Sequence, residues 1–370
     1  AQEVPGILRE LAGKAKCAII VSSGFAETGR SDLQNEIKRI GRETGIRLLG
    51  PNCMGLYNPY RRLDTMFLSY EKMKRPGKGN VALISQSGAI ITCLFDMIRE
   101  SHMGVSKAVG YGNAADIDES DLCEYLAHDR NTGVVILYVE SLGDGRKFIE
   151  AARGLSWRKP FILLKSGKGS SGQAAAYSHT GRLAGRYEVF HSILRQFGIQ
   201  EAKDFDELID AAKALSYQGS SKGNRVLIVT NGGGSGVLAA DECMRQGLDI
   251  VKVSDAKGKR LRETFPPFYA MGNPIDLTAQ VKDEDYAFVL NELKDEYDGF
   301  VVIALTAVAG VTPKLAGLLK GFREAEGKPL VVYTANNGEG RRLSALLDKN
   351  RIPTYSSPER AVRGLKALLH

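Results

Sequence analysis

One histidine stands in an unusual neighbourhood. In KSGKGSSGQAAAYSHTGRLAG, residues 165–185, small side chains surround His179 almost throughout. A stretch like this can bury little apolar surface and reads as a long loop, which suits a group that must visit two sites. Near neutral pH much of an unperturbed imidazole is uncharged and nucleophilic, so it can accept a phosphoryl group and pass it on. The other four histidines, His102, His128, His191 and His370, read as ordinary surface or core. A nucleophilic imidazole needs a partner for its other ring N–H, usually a carboxylate. VVILYVESLGDGRKF offers Glu140 at the carboxyl end of a strand. The alternative for Glu140 is an ordinary polar residue closing that strand.

Two strand-to-helix turns could hold the phosphate. VALISQSGAIITCLFDMI runs strand, Ser85-Gln86-Ser87-Gly88, helix; VLIVTNGGGSGVLAADEC runs strand, a turn through Gly233, Gly234 and Ser235, helix. A helix N-terminus presents unpaired N–H groups and about half a positive charge, so it binds phosphate without a basic side chain. Tight turns also use Gly and Ser for purely geometric reasons. Their corresponding places in two repeats let them point at one anion from opposite sides.

The elements that must position these groups are regular. CAIIVS, VALIS, KAVGYG, VVILYV, FILLK, VLIVT, FVVIAL and PLVVYT read as short β-branched strands, and amphipathic segments such as GRKFIEAARGL and DELIDAAKALS lie between them. Repeated β-α-β predicts parallel sheets covered on both faces, an α/β fold. MKRPGKGN and YQGSSKGN read as linkers and divide the chain into 1–77, 78–219 and 220–370. The last two pieces read as flavodoxin-like, doubly wound units. The first reads as the C-terminal half of a Rossmann-like domain, because no glycine fingerprint follows a first strand.

Composition narrows the class. Hydrophobic residues at 43% and charged residues at 25% argue against disorder. The longest apolar run, FVVIALTAVAGV, is too short to span a bilayer, so no membrane segment is expected. Five cysteines without CxxC spacing predict neither zinc nor disulfides, and hence no metal site and a cytoplasmic setting. A net charge of +7, in short basic clusters, reads first as a solvated face, and a positive field would also help collect polyanionic ligands such as nucleotides or coenzyme A. Nucleic acid is not expected, because no helix concentrates the Lys and Arg and no aromatic platform interleaves them.

SHTGRLAG, ISQSGAI, YVESLGDGRKF, GYGNAADIDESDLCEYLAHD, TNGGGSGVLAADEC, GNPIDLT and IRLLGPNCMG together resemble the nucleoside-diphosphate-forming acyl-CoA synthetases. These are the ADP-forming acetate–CoA ligases, relatives of succinyl-CoA synthetase, and the resemblance runs in order along essentially the whole chain. It implies a reversible reaction. Phosphate attacks an acyl-CoA, His179 takes the phosphoryl group from the acyl phosphate, and a nucleoside diphosphate receives it. The resemblance makes His179 the phosphorylated residue and Glu140 the carboxylate that holds it. Gln86, Ser87 and Gly88, with Gly233, Gly234 and Ser235, become the two helix ends that cradle phosphate. It puts Asn52 and Cys53 near the thiol of coenzyme A, and Gly112, Asn113, Asn273 and Asp276 near the acyl group.

Departures from the family matter too. The glycine-rich half of the coenzyme-binding domain is expected but absent, as is the nucleotide-grasp domain that would hold Mg2+ with ADP or ATP. With no initiator Met, the chain is expected to be a piece that acts with a nucleotide-grasp subunit or domain, in an oligomer. Arg182 stands where the family leads one to expect alanine. Two other readings stay open: an acyl-CoA-sensing regulatory region of a protein acetyltransferase, and a plain binding module for CoA or nucleotide.

Overall fold

The computed structural model describes residues 1–169, 171–172 and 187–370, so His179 and Arg182 lie outside the described residues. The chain divides into two compact units, Ala1–Leu208 and Ile209–His370. The division falls within the helix Phe205–Tyr217.

In the first unit, β1 (Cys17–Ile19) and β2 (Arg47–Leu49) pair in parallel across the helix Ser31–Thr44. A seven-stranded sheet follows, built from β3 (Gly55–Asn58), β4 (Leu63–Asp64), β5 (Lys78–Ser85), β6 (Val105–Gly110), β7 (Val134–Val139), β8 (Phe161–Lys165) and β9 (Gln200–Glu201). Its order is β4-β3-β6-β5-β7-β8-β9. The five parallel strands β6-β5-β7-β8-β9 have the flavodoxin-like order, with the switch point between β5 and β7. The hairpin β3/β4 adds an antiparallel edge on β6, so residues just after GPNCM join this sheet.

The second unit repeats the plan. Strands β10 (Val226–Thr230), β11 (Ile275–Asp276), β12 (Gly299–Ile303), β13 (Leu330–Tyr333) and β14 (Thr354–Tyr355) are all parallel, in the order β11-β10-β12-β13-β14. Its switch point lies between β10 and β12.

The strands read as near-continuous apolar runs because both faces are covered. All six residues of β7 are buried. In the second unit Leu227, Val229, Phe300 and Val302 enter one core, and Val226, Ile228, Val301 and Ile303 enter the other, the period of two that a pleated strand imposes. The helix Gly88–Glu100 buries Ile91, Leu94, Phe95 and Ile98, a stripe at helical spacing that seats it on the sheet. Among the described residues no helix is long and apolar enough to cross a membrane.

Candidate active site

The first switch point is built around Gln86. Its Oε1 accepts the backbone N–H groups of Glu140 at 2.8 Å and Ser141 at 3.0 Å, and its Nε2 donates to Ser141 Oγ at 3.2 Å. Its own N–H donates to the Tyr138 carbonyl. Gln86 therefore ties the end of β5 to the end of β7. One residue earlier, Ser85 Oγ accepts from the Ser87 N–H and donates to the Ser87 carbonyl, which turns the chain into the helix Gly88–Glu100. Ser87 caps that helix without a side-chain bond. The neighbouring helices Glu119–His128 and Gly145–Ser156 are instead closed by the carboxylates of Asp118 and Asp144. The first N–H groups at the Gly88 end thus have no side-chain cap from Ser87.

Glu140 follows β7 directly and is buried. Its carbonyl accepts from Lys165 Nζ at 2.6 Å. Burial pushes the Tyr138 hydroxyl up, Ser166 works against that, and the Glu140 carboxylate adds to the rise. Lys165 is likewise buried, which pushes its ammonium below the usual lysine range while Glu140 and Glu201 pull it back.

The second switch point uses the same hardware. Thr230 Oγ1 accepts from the Gly232 N–H and donates to the Gly232 carbonyl, both at 3.0 Å. Asn231 reaches across to Leu305, accepting its N–H at 2.8 Å and donating to its carbonyl at 3.0 Å. Gly232 caps the helix Gly233–Arg245 without a side-chain bond, so Gly233, Gly234 and Ser235 form its first turn. Asp276 stands beside that turn: a Cβ on Gly233 would come within 2.8 Å of Asp276 Oδ2.

The residues expected near the thiol and the acyl group also meet. Asn52 adopts a left-handed φ of 54°, which Asn tolerates better than most residues, and its Nδ2 donates to Asn113 Oδ1 at 3.3 Å. Asn113 Nδ2 donates onward to Glu27 Oε2 and to Gln34 Oε1. Gly112 has a φ of 58°, and a Cβ there would strike the carbonyls of Pro51 and Asn52 within 2.4 Å, so this close approach requires glycine. Cys53 is buried, its Sγ donates to the Ile20 carbonyl, and burial pushes its thiol up to about 11, so it is no thiolate nucleophile. Asn273 is placed elsewhere. Its amide serves the start and middle of β10, accepting from the Ile228 N–H and donating to the Val226 and Val251 carbonyls.

Sequence reasoning missed two features. Met54 lies over the first helix end, where its Cε would be 3.0 Å from a Cβ on Gly88; it stood inside GPNCMG without a role. Glu201, which was given no role, accepts from Tyr187 Oη at 2.9 Å, His191 Nδ1 at 2.6 Å and Lys168 Nζ at 2.8 Å. Burial raises its pKa, but those three partners outweigh burial and hold it below the usual carboxylate range. A cleft of about 910 Å3 in the first unit, bordered by Lys38, Arg42, Arg47, Asp116 and Lys147, is lined by none of the expected site residues. Its size does not make it the reaction centre.

Comparison with known proteins places the chain in a family. Residues 78–215 match the succinyl-CoA ligase like flavodoxin domain, and 226–367 match the ligase-CoA domain. The alpha subunit of acetate–CoA ligase [ADP-forming] II from Pyrococcus furiosus is 38% identical over 96% of this chain and 78% of its own length. The chain belongs to the ADP-forming acetate–CoA ligase family. Within that family, the acetate–CoA ligase [ADP-forming] of Methanocaldococcus jannaschii is 36% identical over 99% of the chain, which spans 52% of that relative. A solved acetyl-coenzyme A synthetase 1 from Ca. Korarchaeum cryptofilum, in complex with phosphate and ADP, matches with a TM-score of 0.90. It is 34% identical, covering 99% of this chain and 80% of its own.

Proposed function

We propose that this chain is the acyl-CoA-handling part of an ADP-forming acyl-CoA synthetase, converting acyl-CoA, phosphate and ADP into a small carboxylic acid, CoA and ATP. The observation that carries this reading is the first switch point. There Glu140, a buried residue, has its backbone N–H held by Gln86 beside the uncapped end of the helix Gly88–Glu100. The relatives described above are named as ligases or synthetases, and they lend no support to a regulatory acyl-CoA sensor.

Three transfers follow. A phosphate oxygen attacks the thioester carbonyl; the C–O bond forms, the C–S bond breaks, and the CoA thiolate takes a proton. An imidazole nitrogen of His179 then attacks the acyl phosphate; N–P forms, P–O breaks, and the carboxylate leaves. Last, a β-phosphate oxygen of ADP takes the phosphoryl group, which frees the imidazole. Glu140 orients the imidazole by accepting its other ring N–H. N–H groups at Ser87–Gly88 and Gly233–Ser235 answer the phosphoryl charge without reorganisation. Asn52, Gly112 and Asn113 shape the thioester end, Cys53 packs behind them, and Asp276 borders the second helix end. Asn273 holds the chain on which Asp276 stands.

The final transfer assigns Mg2+ and ADP to a nucleotide-grasp subunit or domain, with which this chain forms a cytoplasmic oligomer. We assign 1–77 to the second half of a CoA-binding domain plus a linker, whose β3/β4 hairpin pairs into the next sheet, 78–219 to the histidine-bearing domain and 220–370 to its repeat. The test uses the complete enzyme with an acyl-CoA and labelled phosphate. Protein-bound label that survives alkali but not acid, and is lost in His179→Ala, is the expected result; near-normal turnover by that variant would end the proposal.

A further inference from the structure

We propose that Lys165 is a positioning residue for Glu140, and through it for phosphoryl transfer to His179; this rests on the roles of His179 and Glu140 given above. Lys165 is the last residue of β8 and pairs in register with Val139, the residue before Glu140. Its Nζ donates to the carbonyls of Glu140 and Ser166, so one ammonium staples the two strand ends beside the switch point. Only 6% of the residue is exposed. An ammonium buried this far is unfavourable unless its charge is answered, and the rest of FILLK is apolar. Among the described residues, the titratable groups that act on it are Glu140, directly after β7, Lys168 from the chain after β8, and Glu201 from β9. Along three adjacent strand ends the charges alternate: Glu140, Lys165, Glu201.

The second unit shows how such a sheet closes at the corresponding positions. Ser85 pairs with Tyr138, and Thr230 with Ile303, each at the matching turn. Counting from those pairs places Leu305 at the position of Glu140. Tyr138 pairs with Leu164 and Ile303 with Tyr333, which places Thr334 at the position of Lys165. Leu163 pairs with Glu201 and Val332 with Thr354, which places Thr354 at the position of Glu201. All three ionisable groups are therefore missing together from the second unit. Thr334 Oγ1 is buried there with no hydrogen-bond partner among the described residues. The second unit's buried ammonium, Lys213 Nζ, serves the Thr354 carbonyl and Asp348 instead, so at the two strand ends matching those of Glu140 and Lys165 this sheet closes without an ammonium.

The test treats the complete enzyme with labelled acetyl phosphate, which should phosphorylate His179 directly, and follows the rate from neutral to strongly alkaline pH. Lys165→Met should label more slowly by on the order of tenfold to a hundredfold, as happens when an outer partner of a reacting group is lost. Lys165→Arg should recover most of the rate and carry the alkaline fall-off to higher pH, because a guanidinium keeps its proton there. Wild-type rates and an unmoved alkaline limb in both variants would overturn the proposal while leaving His179 in its role. If Lys165→Met does not fold by circular dichroism, Lys165→Arg decides alone: an unmoved limb overturns the proposal, a moved one supports it. Absence of label from the wild-type enzyme would remove the His179 reading and this proposal with it.

Discussion

The two flavodoxin-like sheets share their geometry and differ in their chemistry. Ser85 and Thr230 make the same hydroxyl-closed turn, and Gln86 and Asn231 both reach across the switch point to latch the neighbouring strand. Each therefore presents an uncapped helix end at the carboxyl edge of its sheet. Beyond that they part. The first carries Glu140 and Lys165 where the second carries Leu305 and Thr334. The reverse holds one strand over: β5 and β6 pair Ser85 with Gly110, and β10 and β11 pair Thr230 with Asp276, so the second unit has a carboxylate where the first has none. On the proposed reading, an anion cradle needs only the turn and the latch, whereas orienting a nucleophile adds ionisable groups to one copy.

The contrast can be broken most severely by making the first unit like the second. Glu140→Leu should leave the fold intact and slow phosphohistidine formation on the order of a hundredfold or more in single-turnover labelling. The opposite exchange, Leu305→Glu, should confer no second phosphoryl acceptor. It should lower denaturant stability by about 1–3 kcal/mol, because a half-buried carboxylate there has no Lys165 beside it.

The latches come next. Gln86→Ala strips the acceptor from two N–H groups, and Asn231→Ala strands the N–H and carbonyl of Leu305. Each unsatisfied group costs about 1–3 kcal/mol when buried, so both variants should melt earlier. Only Gln86→Ala should also slow His179 phosphorylation in the same preparation, because only that latch carries Glu140. Equal losses of rate in the two variants would mean that the units share the chemistry evenly.

The smallest effect concerns acid. The Glu201 carboxyl is held below its ordinary value of 4.5 in the folded chain. Its contribution to stability is therefore complete above that value and is lost as pH falls through the lower folded one. Wild type and Glu201→Gln should differ in denaturant stability near neutral pH and converge below about 4.5. A difference that stays constant with pH would show that Lys168 and His191 do not favour the charged form.

Much of this was legible in the sequence where a strand was long enough to show its period. CAIIVS, VALIS, KAVGYG, VVILYV, FILLK, VLIVT, FVVIAL and PLVVYT all contain strands, and the two turns start helices as their Gly and Ser residues imply. Strands β9, β11 and β14 were invisible because two residues carry no periodicity. The β3/β4 hairpin was hidden for another reason: its place against β6 is a long-range choice that no local pattern records. The same limit applied to the site. Glu140 stood out because a carboxylate ended an apolar strand, and the meeting of Asn52 with Asn113 could not be read from residues 61 apart. Nor could the role of Gln86, whose side chain serves the backbone of Glu140 and not an exposed turn.

The destination of the phosphoryl group is the most direct test of the role of His179. The complete enzyme would be treated with acetyl phosphate, digested under alkaline conditions that spare phosphohistidine, and its phosphopeptides mapped by electron-transfer fragmentation. One phosphate on His179, strongly reduced in Glu140→Leu at a matched early time and unaffected in Leu305→Ala, is the predicted result. Phosphate on any other residue, or on His179 equally in wild type and Glu140→Leu, would contradict it.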